Sequence, residues 1–331
     1  MVNAFTADNM GFFNVPANKY EGACASGSVA TRDAFMLVAA GFYDTVMVGG
    51  VERAASMGTP MATRAFAMAS DGHYEFPAGL TFPGVFALLA HLYASAYNIP
   101  MSRLKEQLGA VAVQGYKYGK LNEKAHLRKD VTLEQAMKSF VVASPLGLHD
   151  CCPFSDGAAA AIITTEENAK KLTKKPVYII GAGQASSGPM ASQQDYLPRI
   201  RARELSSQRA YAMAGIKPQD VNICELHDCF TIAGLIAAEG LGFFDYGKAG
   251  EAWEKGLTAL GSKTQINLSG GLKSKGHPIG ATGVGQVYEI VKQLRGEVEA
   301  GRIPENARIG MTDTLGGDGG TLCNLILQRG W

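Results

Sequence analysis

Charge is scarce in this chain: 18% of its 331 residues are Asp, Glu, Lys or Arg, against roughly 25% in an average soluble domain. The charges nearly cancel, 31 basic against 30 acidic, for a net of +1. Such a balance excludes broad attraction to nucleic acid or anionic lipid, so neither is expected as a partner. The polar tracts that keep a chain from forming a core are also missing, which excludes disorder for most of it. No apolar run reaches the roughly 18–20 residues of a membrane span. Stretches such as Phe82 to Tyr93 are broken by Gly, Pro or His. The start, MVNAFTADNMGFF, lacks the basic region and apolar core of a signal peptide. Cysteines, at 24, 151, 152, 224, 229 and 323, are too sparse for a disulfide scaffold and show no CxxC pair. The reading is a cytoplasmic protein with reduced thiols.

What is abundant is apolar residues, at 47%, and glycine, at 40 residues. Average glycine usage is roughly 7%. An excess in an apolar chain points to tight turns and close backbone approach around a ligand.

The pattern along the chain alternates strands with helices. Asn18 to Ala23 reads as a short strand and Ser26 to Ala40 as a helix stopped by Gly41. Thr45 to Val51 reads as a buried strand, completing a βαβ-like unit. Residues 52–144 differ: helices such as Gly84 to Tyr97 and Arg103 to Tyr118 are joined by polar loops, with charge concentrated at Lys117 to Asp130. Ala158 to Thr164 returns to strand, and Glu166 to Leu172 to helix. Further on, strands at Val177–Gly181, Val221–Leu226, Gln265–Leu268, Ala307–Thr314 and Thr321–Leu327 alternate with helices at Arg199–Ala214, Thr231–Glu239 and Ala281–Leu294. The expectation is an α/β fold of two related layered halves with mostly parallel sheets and a mostly helical insertion in the first half. The first half takes residues 1–51 and 145–175, the insertion 52–144 and the second half 176–331.

Three segments combine a reactive side chain with small neighbours. In Glu21-Gly-Ala-Cys24-Ala-Ser-Gly27 the cysteine lies between strand and helix. There a helix dipole favours thiolate, though a buried packing cysteine fits the pattern too. In Glu225-Leu-His227-Asp228-Cys229-Phe230, His227 and Cys229 follow a strand end. Ligands gather at such ends, and both side chains move protons near neutral pH, unless one of them merely caps or packs the helix start. In Ser269 to Gly283, His277 precedes a proline among five glycines, where it either approaches a reacting carbonyl or stays solvated. Two cysteines and two histidines also raise zinc. Zinc ligands usually come in local pairs such as CxxC, and these come from three distant segments, so no metal is expected.

Taken in order, EGACASG, DCCPFSDGAAAAI, ELHDCF, SKGHPIGATG and TLGGDGG resemble the thiolase family across essentially the whole chain. HDCF resembles the sterol-carrier-protein type and archaeal members. The resemblance implies an acyltransferase that makes or cleaves a 3-oxoacyl-CoA through an acyl-enzyme, with coenzyme A as co-substrate and no tightly bound cofactor. It implies Cys24 as nucleophile, His277 as its base and His227 on the thioester oxygen. The amides of Cys24 and Gly316 would form an oxyanion hole. The terminal second cysteine of many members is replaced by Thr314, so Cys229 would act as acid and base; Cys323 reads as structural.

Two departures accompany the resemblance. The nucleophile stands early, so roughly 60 residues of the usual start are expected to be missing, two central strands among them, which would expose a sheet normally buried on both faces. A homodimer, or a small separate partner carrying a zinc ribbon and an OB fold, is expected to cover the gap unless the first half is rebuilt. The insertion also reads Gln114-Gly-Tyr-Lys117 where a histidine-bearing segment often occurs. Phe82, Phe86, Tyr116 and Tyr118 either line an acyl pocket or pack as core. Besides the acyltransferase, two readings stay open: a non-catalytic subunit serving a partner, and a CoA-independent cysteine hydrolase.

Overall fold

The computed structural model describes residues 1–331. Two sheets enclose a pair of helices. The smaller sheet is β1 (Thr45–Glu52) against β2 (Gly157–Thr164). The larger has five strands: β3 (Val177–Ser186), β4 (Ile223–Glu225), β5 (Gln265–Ile266), β6 (Ile309–Gly316) and β7 (Thr321–Arg329), in spatial order β3-β7-β6-β4-β5. Between the sheets lie α1 (Ser26–Ala39) and α6 (Ile279–Arg295). The segment joining β1 to β2 carries α2 (Phe82–Ala96) and α3 (Met101–Leu121). On the far face of the large sheet, α4 (Arg201–Ala214) packs on β3 and β7, with α5 (Thr231–Gly240) beside it. No helix is long and apolar enough to cross a membrane.

The layered α/β class holds, but parallel pairing is narrower than expected. Only β4 pairs in parallel, with β5 and β6, while β1–β2, β3–β7 and β6–β7 are antiparallel. The cause is local for β6–β7: their loop, Gly-Asp-Gly-Gly after Gly316, is too short for a crossover, and only a hairpin closes it. The expected strand at Asn18–Ala23 does not form a ladder; it has no neighbouring strand to take its hydrogen bonds.

The main hydrophobic core runs through α2, α3 and α5 into β4, β6 and β7, and includes Phe86, Leu108, Cys229, Trp253 and Met311. Of the aromatics that could line an acyl pocket, Phe86 is buried and stacks on Phe230 at 4.6 Å. Tyr116 and Tyr118 are buried as well, and Phe82 packs partly buried against the core. The outer face of the β1–β2 pair has no cover: Met47, Val51 and Ile162 are exposed there.

Glycine sets how closely the layers meet. A Cβ on Gly50 of β1 would strike the Gly280 carbonyl and come within 2.7 Å of Ala281 Cα, both in the first turn of α6. At Gly283 a Cβ would strike Ser28, so α1 and α6 cross there backbone to backbone. This crossing sets the start of α1, which follows Cys24, beside the start of α6, which follows His277.

Candidate active site

Cys24, His227 and His277 arrive from three distant segments, and their ligand atoms all lie within 4.8 Å of one another. Cys24 occupies a single 3-10 turn, Ala23–Ala25, that leads directly into α1. Ala23 has φ 49°, the left-handed region that a non-glycine residue rarely takes. The turn is held by Gly22 N–H donating to Ser26 Oγ at 2.9 Å, by Ser26 Oγ donating to Ala23 O at 2.7 Å, and by Ala23 N–H donating to Glu21 Oε1 at 2.7 Å.

The cysteine is half-buried, and burial pushes its thiol up to about 12, aided by the charges of Glu52 and Glu21. Two amides oppose this, those of Gly317 and Cys24 itself, both facing the sulfur. Desolvation thus outweighs the two amides and opposes the thiolate that a helix start favours. The amide that reaches the sulfur from this loop is that of Gly317, next to Gly316.

His277 is buried and fixed on both sides. Its N–H donates to Ser155 Oγ at 3.1 Å, and its ring Nδ1 lies 2.7 Å from Thr282 Oγ1. Thr282 Oγ1 donates its only hydrogen to Pro278 O at 3.1 Å. The hydroxyl is left to accept, so Nδ1 carries the ring proton and Nε2 presents a lone pair. Burial, His227 and the charge of Lys275 hold this imidazole well below its ordinary range.

His227 is fully buried, and neither ring nitrogen has a hydrogen-bond partner. Burial, then the charges of Arg203 and Lys275, pull it down to about 3. Its backbone N–H donates to Asp313 Oδ2 at 3.3 Å. Asp313 is in turn held by Arg203 Nε at 3.0 Å and Asn324 Nδ2 at 3.1 Å. A buried imidazole without a partner costs about 1–3 kcal/mol, which an oxygen arriving with a ligand would recover.

Cys229 is buried beneath the trio, and burial raises its thiol well above the usual range, with Cys152 and Cys24 contributing. Thr314 faces elsewhere: its hydroxyl donates to Gln286 Oε1 at 2.9 Å and meets Ser28 Oγ. Cys323 is buried inside β7.

The trio is also the one grouping of three potential metal ligands that comes together here.

Several polar residues around the site carry no local signal in the sequence. Lys273 is fully buried, and its Nζ donates to Cys151 O at 2.6 Å and to Tyr116 OH at 3.2 Å. Tyr116 OH also meets His149 Nδ1 at 2.9 Å, at the rim of a cleft of about 550 Å³ lined by Lys129, Lys138, Phe140 and His149. Glu225 accepts from Ser269 and from Gln293 Nε2 behind the glycine-rich loop. Gln114 ties the insertion to Ile266 O at 3.0 Å. Ser155 and Thr282, which aim His277, stand within recognised motifs but were not picked out by residue type.

Comparison with known proteins gives the family. Residues 5–167 match the family model "Thiolase, N-terminal domain", and residues 183–329 match "Thiolase C-terminal domain-like". The chain is 40% identical over 328 residues to an acetyl-CoA acetyltransferase of Methanothermobacter thermautotrophicus, covering 99% of this chain and 84% of that one. It is 33% identical to the benzoylsuccinyl-CoA thiolase subunit BbsB of Thauera aromatica, over 92% of this chain and 77% of the relative. Sterol carrier protein 2 of Oryctolagus cuniculus is 30% identical over 96% of this chain and 59% of its own length. Among solved structures, an Ltp2-ChsH2(DUF35) aldolase superposes with a TM-score of 0.81 at 27% identity, over 98% of this chain and 83% of that one. With the ordered motifs, the two matched domains and the near full-length relatives agreeing, this chain belongs to the thiolase family.

Proposed function

We propose that this thiolase-type acyltransferase cleaves or forms a 3-oxoacyl-CoA through an acyl group carried on Cys24. One observation carries the reading: a thiol faced by two amides lies within 4.8 Å of one imidazole with a free lone pair and another with no partner.

In the cleavage direction, His277 Nε2 takes the Cys24 proton as the sulfur attacks the 3-keto carbon. A resting thiol at about 12 makes this transfer part of the attack rather than a standing ion pair. The new oxyanion is held by the N–H groups of Cys24 and of the Gly316–Gly317 turn. The C2–C3 bond then breaks and its electron pair passes into the thioester enolate. His227 and protonated His277 hold the enolate oxygen. Cys229 gives its proton to C2, and recovers one from the incoming CoA thiol. That thiolate attacks the acyl carbon; Cys24 leaves and takes back the proton held by His277. Every proton is returned, and no redox partner is needed.

Coenzyme A serves as co-substrate, with no tightly bound cofactor. Activity is in the cytoplasm, as a homodimer or with a small zinc-ribbon and OB-fold partner over the uncovered β1–β2 face. The solved Ltp2-ChsH2(DUF35) assembly supports a two-component form. Incubation with acyl-CoA is expected to leave an acyl mass on Cys24. A Cys24→Ser protein that still cleaves 3-oxoacyl-CoA at full rate would overturn the proposal. An intact chain that takes no acyl group alone or with its neighbouring gene products would favour the non-catalytic subunit, and turnover without CoA would favour a hydrolase.

A further inference from the structure

We propose that Asp228 is a positioning residue: standing between His227 and Cys229, it fastens the turn that carries His277 and so sets the spacing of the two histidine rings. This inference rests on the acyl-enzyme reading above.

A short helical turn, Gly271–Lys275, leads to His277 with Gly276 between them. Before that turn the loop is anchored: Ser269 N–H donates to Glu225 Oε1 at 3.0 Å, and Leu226 N–H donates to Asn267 Oδ1 at 2.8 Å. Gly270 and Gly271 follow with φ 100° and 62°. They form a joint in backbone space that glycine alone takes freely, so the anchored loop does not by itself fix the turn beyond it.

Asp228 crosses the joint. It is 2% exposed, and its Oδ1 accepts from Leu272 N–H at 2.7 Å. A Cβ on Gly271 would strike Asp228 Oδ2 and lie 2.8 Å from Asn267 Nδ2, so the missing side chain is what admits the carboxyl group. Burial pushes this acid up to about 6, against the Leu272 amide and Asn267. At neutral pH it therefore stands as a carboxylate, an acceptor through both oxygens.

Other bonds hold each side to the scaffold separately. His227 N–H is tied to Asp313, and Cys229 O accepts from Cys152 N–H at 2.9 Å. Across the joint, Lys273 Nζ reaches Cys151 O, and Ser274 O and Lys275 O accept from Leu127 N–H and His126 N–H at 3.0 and 2.9 Å. His277 itself is held by Ser155 and Thr282. The Asp228 bond differs in joining the segment of one ring directly to the segment of the other.

The test compares two rates in the full chain: acylation of Cys24 from a simple acyl-CoA, and CoA-dependent cleavage of a 3-oxoacyl-CoA. Acylation uses His277 with Cys24, and His277 keeps its ties to Ser155 and Thr282. Cleavage needs both rings on one enolate oxygen, where a misplacement of about 1 Å costs about 10²-fold. Asp228→Ala should therefore lower the ratio of cleavage to acylation by about 10²-fold. Asp228→Leu, which fills the space without an acceptor, should do the same. Asp228→Asn keeps an oxygen for Leu272 N–H, a weaker acceptor than a carboxylate, and should bring the ratio back to within about fivefold of wild type. A carboxylate that only supports the fold would lower the melting temperature and slow both steps alike. A wild-type ratio in Asp228→Ala and Asp228→Leu, or a ratio in Asp228→Asn as low as theirs, would overturn the proposal. A wild-type chain that takes no acyl group sinks the acyl-enzyme reading alone. The spacing is then read from crystal structures of the same variants. Ring centroids that part from 5.0 Å in Asp228→Ala and Asp228→Leu but not in Asp228→Asn support the proposal, and an unchanged separation in all of them overturns it.

Discussion

The rings of His227 and His277 meet edge to face, centroids 5.0 Å apart and planes at 85°, in opposite hydrogen-bond states. His277 is tethered through Nδ1 to Thr282, whereas His227 has no partner on either nitrogen. In the proposed mechanism His277 serves as base and His227 receives the incoming oxygen. The predictions start from that asymmetry.

Thr282→Val keeps the shape near α6 but removes the acceptor that fixes the His277 tautomer. Acylation of Cys24 should slow by about 10–10²-fold, the lower part of the range for general-base catalysis. Substrate affinity should hold. Stopped-flow acylation with a substrate titration reads both, and an unchanged rate would show that the tether does not set the tautomer.

Cys229→Ala should slow carbon–carbon cleavage by about 10²–10⁴-fold while sparing acylation of Cys24 from a simple thioester, which moves no proton to carbon. Thr314→Ala is the control. Its hydroxyl is fully buried between Gln286 and Ser28, so its loss should cost about 1 kcal/mol of stability and leave the ratio of the two half-reactions alone. Equal slowing of both steps in Cys229→Ala would reduce Cys229 to a packing role.

Acid should destabilise the fold through His227. The folded ring titrates at about 3 because of burial and the charges of Arg203 and Lys275, while the unfolded ring titrates near 6.5. Below 6.5 the unfolded chain binds the proton and the folded chain does not, so stability present above 6.5 is lost as pH falls toward 3. At pH 5 the loss is about 2 kcal/mol, at roughly 1.4 kcal/mol per pH unit. His227→Asn should flatten that limb by a similar amount in urea melts at pH 7 and 5. An unchanged slope would mean that the ring charges freely inside the fold.

Gly50→Ala should destabilise by about 1–3 kcal/mol, the range for overpacking a tight contact. It should also slow acylation, because the displaced backbone is the first turn of α6, which follows His277. Thermal melts alongside acylation rates check this. A stability loss without a rate loss would separate the layer contact from the position of the base.

Legibility in the sequence followed locality. Cys24, His227, Cys229 and His277 stand in dense local motifs, and α1, α5 and α6 show helical spacing with a glycine or cap at their ends. The arrangement of strands was harder to read. Whether β3 and β6 run parallel or antiparallel to β7 depends on partners far along the chain, and Asn18–Ala23 has strand composition but no neighbour to pair with. The partners of Arg203 and Lys273 were not legible. Each of these two is an ordinary charged residue until the fold buries it beside one group from elsewhere, and no periodicity encodes that meeting. At Cys24 the helix start is visible in sequence while the desolvation that opposes it is not.

The crossing of α1 and α6 at Gly283 has a consequence for biosynthesis. Cys24 and His277 lie about 250 residues apart along the chain, and this crossing brings their segments together. Contacts of such long sequence separation form late and slowly. A partly synthesised or half-folded chain therefore exposes an ordinary cysteine, without base or oxyanion donors. Under the proposed acyl-enzyme mechanism, competence would come on in one step, when α6 docks.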